Sequence, residues 1–375
     1  MKKLFMNKKI TSAILAAAML GTALTGCSKA EKVDGTQIVA TVDDYEVTLG
    51  LAHLILRENQ ASSEDYMELL AEAYGMDVSS FAMWDDTTKA EDGSTITYGE
   101  QQKETVMGAI CELYAFKNHA GDYDIELTEE DHEKIAAAAA QFMKDNTQEA
   151  IDALGVSESD IVTYLELLTL RGRMYEPMLA DVDREVDDAE ANQTTVTFVE
   201  ISTIGTERDD EGKLISLTEE QLAEKKALGE EIIAAIQKEK DIAKADIEKI
   251  AEGISEDVNV TTASFTTEAS EDQYVVKEQV VDAVMKMKDG ELCETVIEGE
   301  NAYYVVRLDA MLDEEATETE RENIIANRET EAHEELAEKW TYETTVTIDY
   351  EVWGQVELTD RQSFRFVVDE EETEE

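Results

Sequence analysis

Two stretches, "VTFVEISTI" (196–204) and "NAYYVVRLDAM" (301–311), decide how this 375-residue chain is read. The first alternates apolar or β-branched residues with polar ones, the period of a strand with two unlike faces, and the second closes a hairpin. Between them the period lengthens. "EEQLAEKKALGEEIIAAIQKEKD" (219–241) and "AKADIEKIAEGI" (243–254) space their apolar residues as helices do, "NVTTASFTTE" (259–268) returns to a strand, and "VVKEQVVDAVMKM" (275–287) is helical again. Asp289-Gly290 marks a turn, and "LCETVIEGENAYYVVRLDAM" (292–311) closes as a hairpin bending near Glu298-Gly299. The order β-α-α-β-α-β-β is that of a compact α+β unit.

On the N-terminal side the pattern is almost wholly helical. "QIVATVDDYEVTL" (37–49) reads as a small hairpin turning at Asp43-Asp44. From Leu49 onward Leu51, Leu54 and Ile55, then Met67, Leu70, Ala71 and Tyr74, fall on one helix face each, with Gly75 as a stop. "MWDDTTKAEDGSTIT" (83–97) reads as a polar surface loop with Trp84 folded back on the helices. Helices are expected over 98–121, 127–145 and 156–182; Thr128 with Asp131, and Ser157 with Asp160, are acidic capping boxes for the last two. After 311 comes a long polar helix (317–340), then "TVTIDYEVWGQVEL" (345–358), read as strand or extended chain. The fold class is therefore α+β: a helical lobe, made of N-terminal helices and a returning C-terminal helix, with an α+β domain inserted into it.

The first 26 residues have another character. Lys2, Lys3, Lys8 and Lys9 precede an apolar run, Ile10 to Ala23, shorter than the ~20 residues a membrane span needs. That is the layout of a secretory signal. Leu24-Thr25-Gly26-Cys27 resembles the lipobox of bacterial lipoproteins. The resemblance implies cleavage before Cys27 and acylation of that residue, which would hold the chain at the outer face of the bacterial cell membrane. An ordinary signal with an incidental cysteine is the other reading. The expected segments are a signal peptide (1–26), a tether (27–36), a mainly helical lobe (37–195), the α+β domain (196–310), a C-terminal helix and strand completing the lobe (311–368), and an acidic tail (369–375).

Charge narrows the partners. The formal charge is −56, and removing the four lysines of the signal takes it to −60. Such a surface repels nucleic acid and anionic lipid; it reads first as a plain solvated surface, and otherwise as one that favours cationic clients or loosely held divalent ions. Hydrophobic residues make up 43% of the chain, enough to bury a core. Cys111 and Cys293 are far apart in sequence and read as packed thiols rather than a disulfide framework. With four histidines in all, His53, His119, His132 and His333, no zinc site is expected; Ala337 stands where a helix starting at His333 would need its second ligand. No phosphate loop, Gly-x-Ser-x-Gly elbow or calcium loop is present, and "DVDREVDD" (181–188) and "DDEGK" (209–213) read as solvated loops. No cofactor and no metal are expected.

The lipidated cysteine, the "IVATVDDYEVT" opening, the helical lobe, the insert and the returning helix together resemble the PrsA/SurA-like extracytoplasmic foldases. The insert resembles their parvulin-type peptidyl-prolyl isomerase domain. The likeness rests on the order and spacing of "FVEISTIGTERDDEGK", "IAEGISED", "AVMKMKDGEL" and "NAYYVVRLDAM". It implies a chaperone for unfolded or newly secreted polypeptides, with no nucleic-acid partner; a homodimer is compatible with it. It also implies a site whose residues are changed. Where the family has histidines, this chain has Thr203 and Tyr304; Asp257 matches the acidic or Cys position; Val276 and Val280 stand for the Met and Phe of the proline pocket, with Phe265 filling it. An isomerase needs an apolar slot for the prolyl ring and polar groups that tolerate a twisted amide, whose rotation barrier is about 18–20 kcal/mol. The expectation is a membrane-anchored foldase with a weakly active or inactive parvulin-like domain; the alternatives are an active isomerase and a non-catalytic binding or envelope-structural lipoprotein. Tyr66, Tyr74, Phe81, Met83 and Trp84 are candidate client contacts that read more readily as core.

Overall fold

The computed structural model describes residues 22–23, 32–81, 83–90, 92–206, 212, 214–267, 276–358 and 365–366. Cys27 lies outside the described residues, as does all but the end of the apolar run before it. The chain divides into two compact units, residues 1–181 with 331–375, and residues 182–330.

In the first unit, β1 (Ile38–Val42) and β2 (Tyr45–Thr48) pair antiparallel, and β9 (Val346–Ile348), from near the C-terminus, adds to the other edge of β1. The two-residue turn between β1 and β2 puts Asp43 at φ 49, a left-handed conformation that Asp tolerates better than most. Its carboxylate accepts from the backbone N–H of Thr345 (2.9 Å) and from Asn118 Nδ2 (2.8 Å), fastening the turn to the chain just before β9 and to the middle of the unit's sequence. Helix α1 (Leu49–Tyr74) starts at an N-cap, Thr48, and stops at Gly75 in the left-handed region. It is followed by α2 (Tyr98–His119), α3 (Glu129–Asp145), α4 (Gln148–Leu154) and α5 (Glu158–Met178). The capping boxes Thr128/Asp131 and Ser157/Asp160 are both formed.

Three segments differ from the sequence reading. The polar stretch before α2 holds a short hairpin, β3 (Thr87–Lys89) with β4 (Thr95–Thr97), whose arms are rich in β-branched residues. Helix α4 was hidden by its shortness; its core residues Ile151 and Leu154 only make sense against α1. The segment after β9 forms a helical turn, α11 (Tyr350–Trp353), capped by Asp349. Leu49, Leu56, Ile110, Leu154, Ile161 and Leu167 are fully buried at the centre of this unit. A second cluster joins Phe116, Met174 and Trp340, with Trp340 edge-on to Phe116 (5.5 Å) and stacked on His119 (4.5 Å). Trp340 belongs to α10 (Glu314–Glu343), whose last turns fall in this unit.

The second unit is built on β5 (Gln193–Ser202), preceded by a single helical turn, α6 (Asp188–Ala191). Then come α7 (Glu219–Ile236), α8 (Ile247–Glu252), β6 (Asn259–Thr266), α9 (Glu278–Val284), β7 (Ile297–Glu298) and β8 (Ala302–Ala310). The sheet order is β6-β5-β8-β7, antiparallel throughout. Helix α7 approaches the sheet closely through Gly229, where an added Cβ would lie 2.7 Å from Val296. Arg307 is buried and satisfied: it pairs with Asp309 and its Nη1 donates to the carbonyls of Ile242 (3.0 Å) and Ala245 (2.9 Å). The acidic stretch before α6 is exposed, as expected, but held. Arg328 donates to the carbonyls of Asp183 (3.2 Å) and Glu185 (2.8 Å) and pairs with Glu190 (2.6 Å), and Arg184 pairs with Glu329 (2.8 Å).

Candidate functional site

The residues singled out for isomerase chemistry fall on the sheet of the second unit, and alternation sorts them by face. Tyr304 lies opposite Glu200, Val306 opposite Phe198, and Phe265 opposite Thr194, so Tyr304, Phe198 and Phe265 share one face. Thr203 extends the ladder past β5, donating its N–H to Asn301 O at 2.9 Å. That register puts it on the Ile201 side, the face opposite Tyr304. The structure thus does not bring Thr203 and Tyr304 together. The side chain that meets Tyr304 is Phe198, with ring centroids 6.0 Å apart and planes at 74°. The signal for this pair was the strict two-residue period of "VTFVEIS", which separates positions 198 and 203.

Around Tyr304 the face is filled. The ring is only 4% exposed, and Phe265, Val276 and Val280 are buried in the same apolar cluster. Gly299 makes room for the ring: a Cβ there would stand 2.6 Å from Tyr304 Cε2. Burial, and then the nearby Glu200 carboxylate, push the Tyr304 phenol above its ordinary range, so it stays protonated at neutral pH. Cys293, buried beside it in the cluster, is likewise pushed up by burial, and its Sγ accepts from the Val306 N–H (3.2 Å). Asp257 is exposed at a turn where its N–H bonds to Ser255 Oγ (3.1 Å), and it has no place in this cluster. None of the chain's four histidines lies within 182–330.

In the first unit the candidate contacts divide. Trp84 is core: its Nε1 donates to Glu64 Oε1 at 2.6 Å, and Gln60 Nε2 donates to the same oxygen at 2.9 Å. Phe81 and Met83 are half-buried. Tyr66 and Tyr74 are 61% and 74% exposed, so Tyr74 points outward rather than sharing the buried face of Ala71. Leu69, at 62%, and Met76, at 50%, are exposed too and were missed by the sequence reading, although Tyr66 and Leu69 stand three apart, at helical spacing. Further back on α1, His53 is buried; its Nδ1 donates to Leu154 O (2.9 Å) and its Nε2 accepts from Arg57 Nε (2.9 Å), the arrangement of a structural neutral imidazole.

No protein-family profile matches the chain, and no curated protein does. Among solved structures it is similar to peptidylprolyl isomerase PrsA from Bacillus cereus, at 17% identity over 75% of this chain and 96% of that one, with a TM-score of 0.29. It is also similar to the foldase protein PrsA from Streptococcus pneumoniae, at 14% identity over 74% of this chain and 96% of that one, TM-score 0.25. For PrsA from Bacillus anthracis the figures are 13% identity, 64% and 96% coverage, and 0.24. Likeness of that size decides neither fold nor activity.

Proposed function

We propose that this protein is an extracytoplasmic folding helper, tethered to the membrane through Cys27, whose parvulin-like unit has little or no isomerase activity. The observation that carries the reading is the run of large apolar side chains left exposed on the second half of α1, on an otherwise strongly charged chain. Several large apolar side chains exposed on one short stretch suit contact with another molecule. Unfolded chains leaving a translocon would meet a tethered helper at high local concentration.

The quiet of the isomerase unit is supported by its chemistry. The apolar side chains that would line a prolyl slot are buried in one cluster, and residues 182–330 carry no histidine for the polar network around a twisted amide. Two assays on the mature chain test the proposal together. Suppression of aggregation of an unfolded secreted protein, without acceleration of prolyl isomerisation in a peptide, is the expected result. Fast isomerisation would restore the active-enzyme reading. Silence in both assays would favour a binding or envelope-structural lipoprotein. Mass spectrometry of the cell-associated form is expected to find acyl chains on Cys27.

A further inference from the structure

The four-stranded sheet of the second unit has two unequal edges. One is β7, two residues long. The other is β6, eight residues long, paired with β5 alone and in one continuous register. The phase of that ladder is fixed at its end, where the Thr267 N–H donates to Asn192 O at 2.8 Å. Every second pair from there exchanges backbone hydrogen bonds. Thr261, Ala263 and Phe265 therefore turn their N–H and C=O groups toward β5, and Val260, Thr262, Ser264 and Thr266 turn theirs outward. The side chains agree with this phase. Hydroxyls meet across the pairs that share no backbone bond, Thr195 with Ser264 and Thr197 with Thr262, both at 2.8 Å. Among the described residues no backbone group bonds to the outward groups of those four.

An open edge of this length is ordinarily guarded by a charge, a proline or a bulge. None is present: no Lys, Arg, Asp, Glu or Pro stands between Val258 and Thr267, and the pairing with β5 has no register shift. We infer that the outer edge of β6 is a site where an extended polypeptide segment, Val or Ile alternating with Thr or Ser, adds as an antiparallel strand. This rests on the folding-helper reading for the source of the segment, an unfolded client. The backbone selects an extended chain, because a strand meets the outward groups at their two-residue spacing. The side chains select its alternation. One face of an added strand lies beside Ala263 and Phe265, the latter buried in the same apolar cluster as Tyr304 and Val280. Its other face lies beside the hydroxyls of Thr262 and Ser264. Aliphatic β-branched residues suit the first row, and Thr or Ser the second. A formal charge of −56 on the chain works against a second copy as the occupant.

The test uses the full mature chain and fluorescent peptides that match β6 in length, with Val alternating with Thr. In antiparallel pairing the residues that exchange bonds with Thr262 and Ser264 lie on the same face as those two, so they are the threonines of the peptide. N-methylation of its valines should leave affinity within about threefold of the parent peptide, and N-methylation of its threonines should weaken binding at least about tenfold. On adding the parent peptide, amide exchange followed by NMR should slow at Val260, Thr262, Ser264 and Thr266 and stay unchanged at Thr261 and Ala263. Thr262→Pro removes one outward N–H at an edge, where proline is tolerated, and should weaken the parent peptide about tenfold. Should that variant not fold, the two methylated peptides decide the matter on the unaltered chain. No binding of the parent peptide, equal or reversed affinities of the methylated pair, or a folded Thr262→Pro chain that binds as the parent does, overturns the inference.

Two other occupants would also overturn it. Slow exchange at the four outward amides without peptide, lost on dilution, would assign the edge to a second copy of the chain. Slow exchange that survives dilution would assign it to the chain's own residues. The folding-helper reading fails separately. A chain that takes the peptide in the expected pattern and suppresses no aggregation keeps the edge site and loses the helper. A chain that suppresses aggregation and adds no strand keeps the helper and loses the edge site.

Discussion

Phe198 and Tyr304 meet edge to face on neighbouring strands of the second unit, 6.0 Å between ring centres, on the same sheet face as Phe265. The contact contributes to stability. Tyr304→Ala should cost about 3–5 kcal/mol by leaving a cavity, and Phe198→Ala less, because Phe198 is only half-buried. A double-mutant cycle from urea unfolding should give a coupling of about 0.5–1.5 kcal/mol. A coupling near zero would mean the rings are neighbours without mutual stabilisation.

The start of the first unit depends on three glycines that touch. Gly50 N–H bonds to Gly35 O at 2.9 Å, and a Cβ on Gly35 would lie 1.7 Å from Gly155 O. Backbone cannot yield there as a side chain would, so Gly35→Ala should lower stability by more than about 3 kcal/mol. Gly108, on the exposed side of α2 with nothing near its Cβ position, is the control; Gly108→Ala should raise stability by about 0.5–1 kcal/mol. Circular-dichroism melts of the two variants should move in opposite directions.

Two carboxylates, one buried and one half-buried, should bend the stability–pH curve in opposite senses. Hydrogen bonds from Arg173 and then Thr128 hold Asp131 well below the usual carboxylate range. Its stabilisation is present above the unfolded value of about 3.9 and is lost as pH falls from there toward the folded value. Glu58 is raised, chiefly by burial, although the Tyr164 hydroxyl donates to it at 2.7 Å. What it contributes is present below the unfolded value of about 4.3 and is lost as pH rises through the folded one. Urea titrations between about pH 2 and 7 should show Asp131→Asn flattening the acid limb and Glu58→Gln removing the opposing slope.

Lys103 fastens the C-terminal segment to α2. Its Nζ donates to the carbonyls of Trp353 and Val356, both at 2.7 Å, and lies 4.9 Å from the centre of the Trp353 ring. Burial lowers its pKa. Lys103→Met removes both donors and should cost about 1–3 kcal/mol. Faster proteolysis after β9, ahead of any global unfolding, is the readout that separates local release from general destabilisation.

Where the pattern was long and periodic, the sequence sufficed. The mixed α+β class, the strands at 193–202, 259–266 and 302–310, the caps at Thr128 and Ser157 and the stop at Gly75 all follow from period and capping chemistry within a few neighbouring residues. Short elements did not show, because seven residues of α4 or three of β3 carry too little period to stand out from their surroundings.

The candidate site was legible in composition and not in arrangement. Absent imidazoles can be counted in a sequence. That Phe198 rather than Thr203 meets Tyr304 depends on strand register, which is set by pairing with residues about a hundred positions away. Likewise Tyr74 could have been core or surface by helical spacing alone; packing on the Ala71 side left it outside, and Trp84 went inside because Glu64 was there to take its N–H. Local period determines which residues share a face, and only long-range contact decides which face is covered.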